Sequence, residues 1–369
     1  MKLALKLPLY WMFREIGHPV MLPFNYTFSI TYRCNSRCKT CNIWRIQHRI
    51  KKSEELSLDE WKKIIKSLGD SPFWITISGG EPFLREDLVE IVDYIDKINK
   101  PRIINIPTNG TLPETIRNRV EEILNTISEK TNLIINFSLD GISKLHDYIR
   151  GYPGNYSLLK KSYMEIKQLK KDNPNLTIGI HTVISKWNVD HIKEIYQTVM
   201  QEFKPDQYIT EIAEKRREME NLNQDITPPP EKYIEAINFL IGEIKHNLKS
   251  GKWKGIARIT EAFRIQYYEL VKKILTENKQ VVKSYAGYAS AHISPTGEVW
   301  ECAVYATPMG NLRRYNYDFE KLWRSLRANK IREKIRKRHI CPLASENYTN
   351  LLLSLSHFLK VIINLYLIL

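Results

Sequence analysis

A regular alternation of strand-like and helix-like segments constrains this chain more than any other feature. Apolar, largely β-branched runs fall at Phe28–Cys34, Phe73–Ser78, Ile103–Pro107, Leu133–Leu139, Thr177–Ser185 and Gln207–Ile212. Amphipathic helical patterns separate them. Ser57-Leu58-Asp59-Glu60 reads as a capping box opening a helix that runs to Leu68. Leu88, Ile91, Val92, Ile95 and Ile98 recur at helical spacing, and Ile192, Ile195, Val199 and Phe203 do the same. Six β-α units in succession require a parallel sheet with its helices outside. Six are too few for a closed eight-stranded barrel. The expected fold class is therefore α/β: a partial (β/α)6 barrel of TIM type, with functional groups on the loops at the C-terminal ends of the strands.

Chemistry-bearing residues stand at those ends. Cys34-Asn35-Ser36-Arg37-Cys38-Lys39-Thr40-Cys41 follows the first strand. A C-x3-C-x2-C loop can wrap three thiolates around a four-iron cluster and leave one iron open for a further ligand. The spacing alone also allows a zinc site formed by Cys34, Cys38, Cys41 and His48. Zinc accounts for none of the later strand ends, however. Gly79-Gly80-Glu81-Pro82 ends the second strand, Thr108-Asn109-Gly110 the third and Ser138-Leu139-Asp140-Gly141 the fourth. Gly79 and Gly80 can offer backbone carbonyls to an ammonium, with the charge of Glu81 nearby. Asn109, Ser138 and Asp140 can hydrogen-bond ribose hydroxyls or a carboxylate.

This ordered series, from about Tyr26 to Ile212, resembles the radical S-adenosylmethionine (radical SAM) superfamily. The resemblance implies a [4Fe–4S] cluster on Cys34, Cys38 and Cys41, with S-adenosylmethionine chelating the open iron through its amino and carboxylate groups. It implies reductive cleavage of that cofactor and hydrogen abstraction from an unactivated C–H bond by a 5′-deoxyadenosyl radical. A one-electron donor of ferredoxin or flavodoxin type is the implied partner. Thr40 departs from the aromatic that many members carry before the third cysteine. His146-Asp147-Tyr148-Ile149-Arg150-Gly151 resembles the subfamily with a C-terminal SPASM or twitch extension, and by that resemblance Arg150 helps hold the methionine carboxylate; an ordinary surface ion pair is the plainer reading.

The chain divides into an amphipathic segment 1–25, the barrel 26–227, a helical connector 228–283, a small α+β domain 284–345 and an apolar terminal helix 346–369. Pro228-Pro229-Pro230 marks the first exit from the barrel, and helices are expected over Ile234–Leu248 and Trp253–Leu275. Ile293 to Val299 reads as strand, turn, strand, followed by Cys302 and later by Cys341. This block resembles the SPASM/twitch domain, whose cysteines usually bind auxiliary iron–sulfur clusters. Ser284 stands where the first such cysteine is expected, and His339 is the nearest other ligand type. Two thiolates do not hold a four-cysteine cluster, which favours a domain that has lost it.

Five cysteines, three of them in one loop, imply no disulfide framework and fit a reducing cytosol. No cleavable signal peptide is read at the start. The net charge of +15 fits either a solvated lysine-rich surface or attraction to an anionic partner. Met1 to Pro19 mixes leucines, aromatics and lysines, as interfacial segments do, or else covers the bottom of the barrel. In Leu351–Leu369, Ser354, His357, Lys360 and Asn364 form one narrow polar stripe of a helix. A cationic strip runs from Arg324 to Arg338 and includes Arg332. Together these point to peripheral association with the inner face of the cell membrane and to a membrane lipid as substrate, in the sharpest form an archaeal lipid undergoing calditol head-group formation or alkyl-chain coupling. The alternatives are a peptide or protein maturase of SPASM/twitch type and a non-catalytic iron–sulfur or SAM-binding scaffold. The segment before Tyr26 is too short for the winged helix that many maturases carry, and no nucleic-acid partner is expected.

Overall fold

Strand β1 (Asn25–Thr31) sits at the centre of the sheet, and its composition shows why: Tyr26, Phe28 and Ile30 are fully buried against helices, while Thr27, Ser29 and Thr31 alternate to the opposite face. With β2 (Trp74–Gly79), β3 (Ile103–Thr108), β4 (Asn132–Ser138), β5 (Leu176–Ile184) and β6 (Gln207–Ile212) it forms six parallel strands in the order β6-β5-β4-β3-β2-β1. In the computed structural model the described residues are 3–19, 21–251, 255–337 and 339–367. Met1, Lys2, Trp253, Arg338, Ile368 and Leu369, and the side chain of Asn364, lie outside the described residues.

The first strand begins and ends three residues earlier than its apolar pattern suggests. Asn25 pairs with Trp74, and the chain leaves the sheet after Thr31 because the Tyr32 amide turns to the Glu55 carboxylate at 2.8 Å. The covering layer starts with α1 (Leu3–Ile16), α2 (Ile43–Ile46), α3 (Leu58–Leu68), α4 (Leu88–Asn99) and α5 (Pro113–Thr126). It continues with α6 (Lys144–Arg150), α7 (Asn155–Leu169) and α8 (Ile192–Thr198), the last running on into a π-turn. The capping box of α3 is formed, with the Ser57 hydroxyl accepting from the Glu60 amide and the Glu60 carboxylate from the Ser57 amide.

Helices α9 (Pro230–Lys249) and α10 (Gly255–Glu277) form the connector. The hairpin then appears as β7 (Ser290–Ile293) and β8 (Glu298–Trp300), followed by β9 (Pro308–Asn311). It does not stand apart: β7 pairs parallel to β1, so one nine-stranded sheet runs through both parts of the chain. Helix α1 packs Tyr10 and Phe13 against Phe24, Tyr285, Tyr288 and Ala289, just before β1 and β7, and so covers the bottom of the barrel.

Helices α11 (Phe319–Trp323) and α12 (Leu326–Lys337) come next. Arg332 does not belong to the exposed strip. It is fully buried, its guanidinium lies 4.2 Å from the Trp323 ring centroid, and it donates to the carbonyls of Gly287 and Trp323. The apolar C-terminus is likewise two helices rather than one. Helix α13 (Ala344–Leu352) starts inside the expected α+β domain and buries Glu346, Asn347, Thr349 and Asn350. It fills the seam left by the missing barrel strands: Glu211 of β6 accepts from the Ala344 amide, Asn25 donates to Thr349, and Ser290 of β7 donates to Glu346. Leu351 within it and Leu353 just past its end are core residues. Only α14 (Leu355–Leu367) lies on the surface, against α10 and α13.

Candidate active site

The Cys34–Cys41 loop has no regular secondary structure, so its backbone groups must find partners elsewhere. Two neighbouring segments supply them, and a third loop holds its side chains. The end of α6 accepts from the amides of Arg37 and Lys39 through the carbonyls of Arg150 and Ile149, at 3.1 and 2.8 Å. The β3 loop reaches in through Asn109, whose amide donates to Asn35 and Ser36 at 2.7 and 3.1 Å. The segment after β6 closes the far side: Met219 accepts from the Asn42 amide, and the buried Asn221 donates to the Thr40 carbonyl at 2.7 Å. Of these clasps, Asn109 and Arg150 are in the motif series, whereas Met219 and Asn221 lie in an aperiodic stretch that no sequence signal marks.

At Gly79 and Gly80 the β2 loop passes so close to β1 that an added Cβ would overlap the carbonyl oxygens of Thr31 and Arg33. Gly79 also has φ of +114°. The Gly80 and Glu81 amides donate back to those two carbonyls at 2.7 and 2.8 Å. Glu81 is buried, and its carboxylate accepts from the Asn109 amide, the Phe83 amide and the Thr108 hydroxyl. Burial pushes its pKa up to about 7, against the pull of those donors. Glu81 therefore ties the β2 and β3 loops together, a bracing contact rather than the free charge that the sequence suggests.

Asp140 is fully buried between the Arg150 guanidinium, 3.1 Å away, and the Val183 amide at 2.8 Å. Its own amide donates to His146 Nδ1, whose Nε2 meets Asn155 Oδ1 at 2.7 Å. The HDxxRG segment thus fixes the β4 loop: His146 and Arg150 hold Asp140, and Asp147 caps the turn at Gly154 and Tyr156. Ser138, half-buried at the end of β4, faces His181 of β5 in register. His181 Nε2 is a buried atom without a partner, a feature that its place in an apolar run conceals.

Three thiols on one loop suit a [4Fe–4S] cluster with an open iron. Burial pushes all three pKa values up, that of Cys41 to about 12, so the thiolate forms need a cation beside them. Arg150 Nε is buried and unpartnered next to the loop, which leaves a donor available to a bound group. Among the described residues no three His, Cys, Asp or Glu side chains, the loop cysteines and His48 included, converge on a single metal ion.

The C-terminal domain does not offer a comparable set. Cys302 and Cys341 are both fully buried, and His339 Nε2 lies 3.2 Å from Cys302 Sγ with its Nδ1 unpartnered. The Ser284 hydroxyl accepts from the Ala286 amide at 3.2 Å. Two thiols and one imidazole do not fit a four-cysteine cluster.

Comparison with known families matches residues 28–199 to the radical SAM superfamily and residues 285–344 to an iron–sulfur cluster-binding domain, SPASM. The chain belongs to the radical SAM superfamily and carries a SPASM domain after the barrel. It is 26% identical over 317 residues to the antilisterial bacteriocin subtilosin biosynthesis protein AlbA of Bacillus subtilis (strain 168), covering 82% of this chain and 62% of that protein. It is 28% identical over 202 residues to Fe-coproporphyrin III synthase of Methanosarcina barkeri (strain Fusaro / DSM 804), covering 54% and 47%. The chain thus spans less than two thirds of the length of both relatives. Streptococcus suis SuiB bound to S-adenosylmethionine shares the fold, with a TM-score of 0.60 at 14% identity over 88% of this chain and 71% of that one. Another structure of SuiB holds the precursor peptide SuiA.

Two outcomes are expected from this geometry. Anaerobically reconstituted protein should bind about four irons per chain, all lost in the triple Cys34, Cys38 and Cys41 alanine variant; about eight irons would show that Cys302 and Cys341 support a second cluster. Burial also lowers the His146 pKa from 6.5 to about 4. Between those values the unfolded chain binds the extra proton, so stability is fully present above pH 6.5 and falls as pH drops toward 4. Denaturant titrations should show this group costing about 2 kcal/mol between pH 7.5 and pH 5, a slope that His146→Gln removes.

Proposed function

We propose that this protein is a radical SAM enzyme that modifies a peptide. The observation that carries the reading is the three-cysteine loop held at the C-terminal mouth of a parallel half-barrel by Asn109, Arg150 and Asn221. Cys34, Cys38 and Cys41 would hold the [4Fe–4S] cluster, and together with S-adenosylmethionine it supplies, when bound, a radical able to take hydrogen from an unactivated carbon. The chain's own residues position and shield. Gly79 and Gly80 keep the β2 loop flush against β1, which leaves its outward backbone groups for the cofactor's methionine end. Asp140 and Ser138 supply acceptors and a hydroxyl for ribose, and Arg150 a cation for the carboxylate. Below them, a band of amides lines the inner face of the sheet: Asn136 donates to Asn105 at 2.7 Å and Gln207 to Asn136 at 3.1 Å. Helix α13 seals the seam between β6 and β7 and keeps water from entering there.

A peptide is favoured over the membrane lipid expected from the sequence by the extent of the likeness. The bacteriocin biosynthesis relative matches over 82% of this chain, and SuiB, with the same fold, is seen with a precursor peptide. Reconstituted protein with dithionite should form 5′-deoxyadenosine, and Cys38→Ala should abolish it. Synthetic precursor peptides should raise that yield above the uncoupled level and undergo a mass change, whereas phospholipid vesicles should do neither. Stimulation by vesicles alone would reverse the assignment.

Peripheral membrane association remains part of this proposal, on a narrower basis. No helix among the described residues is long and apolar enough to cross a membrane. Leu355, Phe358, Leu359 and Ile363 are nonetheless all exposed along one side of α14, 57%, 38%, 52% and 48% respectively. Each leucine-sized side chain inserted contributes roughly 1.5–3 kcal/mol, so a few suffice for partitioning. The full chain should pellet with anionic liposomes at low salt. Deleting residues 355–369 should abolish pelleting and spare the circular dichroism spectrum, because α13 stays; pelleting that survives the deletion would place the contact elsewhere.

A further inference from the structure

The Cys34–Cys41 loop has an outer side that neither the cofactor nor the substrate reading uses. Ser36 and Thr40 are buried, but Arg37 is exposed and Lys39 half-buried. In α2, Ile43 and Ile46 pack beneath the loop against Tyr32, which turns Arg45 outward and leaves Trp44 half-buried. The Arg37 and Arg45 guanidinium carbons lie 5.7 and 4.8 Å from the Trp44 ring centroid. Lys39 Nζ lies 4.0 Å from the ring of Tyr148, which is exposed on α6, and 6.0 Å from that of Trp187, which Lys186 approaches at 5.2 Å. Arg49 is paired with Glu220 and Lys186 with Asp225, whereas Arg37, Lys39 and Arg45 have no carboxylate within ion-pair distance among the described residues.

We infer that this collar of cations and aromatics is the docking surface for an acidic one-electron donor protein. The inference rests on the radical SAM reading above, which requires an electron from outside. In the step itself the reduced donor loses one electron and the cluster gains one; no bond forms or breaks and no proton moves. Electron transfer weakens exponentially with distance, so a donor must approach the cysteine loop itself. Arg37 lies between two of the three cysteines, and Arg45 is four residues past the third. Arg, Trp and Tyr are the residues that dominate binding energy at protein interfaces, and redox encounters use small interfaces whose association is steered by charge. Uncompensated cations around the loop supply that steering toward an acidic partner. The same residues suit other polyanions less well. Tyr148 is the only exposed aromatic of the collar, too little for the stacking platform of a single-strand binder, and the collar carries no exposed aliphatic side chain to enter a bilayer.

The test uses the full chain with its cluster, an acidic flavodoxin, and the double variant Arg37→Glu with Arg45→Glu. Binding of oxidised flavodoxin, read by flavin fluorescence, should be salt-sensitive in the wild type and weakened about tenfold or more in the double variant. Bleaching of the cluster absorbance by reduced flavodoxin should slow by a similar factor, while bleaching by dithionite stays within about twofold. The single Arg45→Glu, on the outer side of α2, should show the same pattern in smaller measure and covers the case in which the double variant misfolds. Unchanged flavodoxin binding and bleaching in both variants would overturn the inference. So would equal loss with flavodoxin and dithionite, or tighter binding of anionic vesicles or an oligonucleotide through the same two arginines. Salt-dependent flavodoxin binding and bleaching with no 5′-deoxyadenosine formed would support the docking surface and sink the enzymatic reading instead.

Discussion

The hydrogen bonds that hold an irregular, cysteine-bearing loop against three other loops are the constraint on which the rest of this structure depends. A loop that must present three thiols to one group cannot spend its backbone on helix or sheet. Its amides and carbonyls still need partners once buried. The end of α6 and the segment after β6 provide them, the β3 loop holds the side chains of Asn35 and Ser36, and each is braced in turn. Glu81 fixes the β3 loop through the Asn109 amide. Asp140 and His146 fix the approach to α6, and the segment after β6 is pinned to the C-terminal domain, with the Arg217 amide donating to the Val304 carbonyl at 2.9 Å. The polar strand ends therefore support one another.

A half-barrel has a second difficulty, which is its open seam. Two unpaired strand edges beside the site would admit water and offer unmatched backbone groups. The chain meets this on one side by extending the sheet, with β7 parallel to β1, and on the other by inserting α13. The polar residues of α13 make sense only in that setting. Glu346, Asn347, Thr349 and Asn350 are poor choices for a membrane-lying helix or an apolar core, but suit a plug that bonds to the Ser290 and Asn25 side chains, the Tyr285 amide and the Cys341 carbonyl.

The difference between what is legible in the sequence and what is not obeys the same physics. The six parallel strands and their helices carry strong periodic signals, because one face of each element packs on a large apolar core. The three cysteines, Asn109, Asp140 and Arg150 are legible as residue types at strand ends; Asn109 bonds to the cysteine loop at Asn35 and Ser36, and Arg150 pairs with Asp140. Glu81 is visible, but its burial is not, since nothing in a local motif tells whether a carboxylate faces a ligand or the amides of the next loop. Asn221 and Met219 give no signal because a clasp between loops has no period. Leu351 and Leu353 read as one helix with the residues after them, because hydrophobicity alone does not show where a plug ends and a surface helix begins. Arg332 illustrates the converse: its sequence neighbours place it among exposed cations, although Trp323, Phe13 and two carbonyls enclose it.

The SPASM domain has sources of stability beyond the ligands its family usually carries. Cluster-binding domains depend on thiolates to offset the small cores of short, loop-rich segments. Here the segment has other sources of stability: it shares a sheet with the barrel, buries Met309, Leu312, Phe319, Leu322 and Trp323, and receives Phe13 of α1 against Tyr288. Once a domain is built into the main core, cysteines at the cluster positions become dispensable for folding. The Ser284 hydroxyl accepts from the Ala286 amide at 3.2 Å, so this residue serves the local turn. The domain also has a geometric part: it extends the sheet from β1, supplies the partner for the segment after β6, and so bears on the cysteine loop from behind.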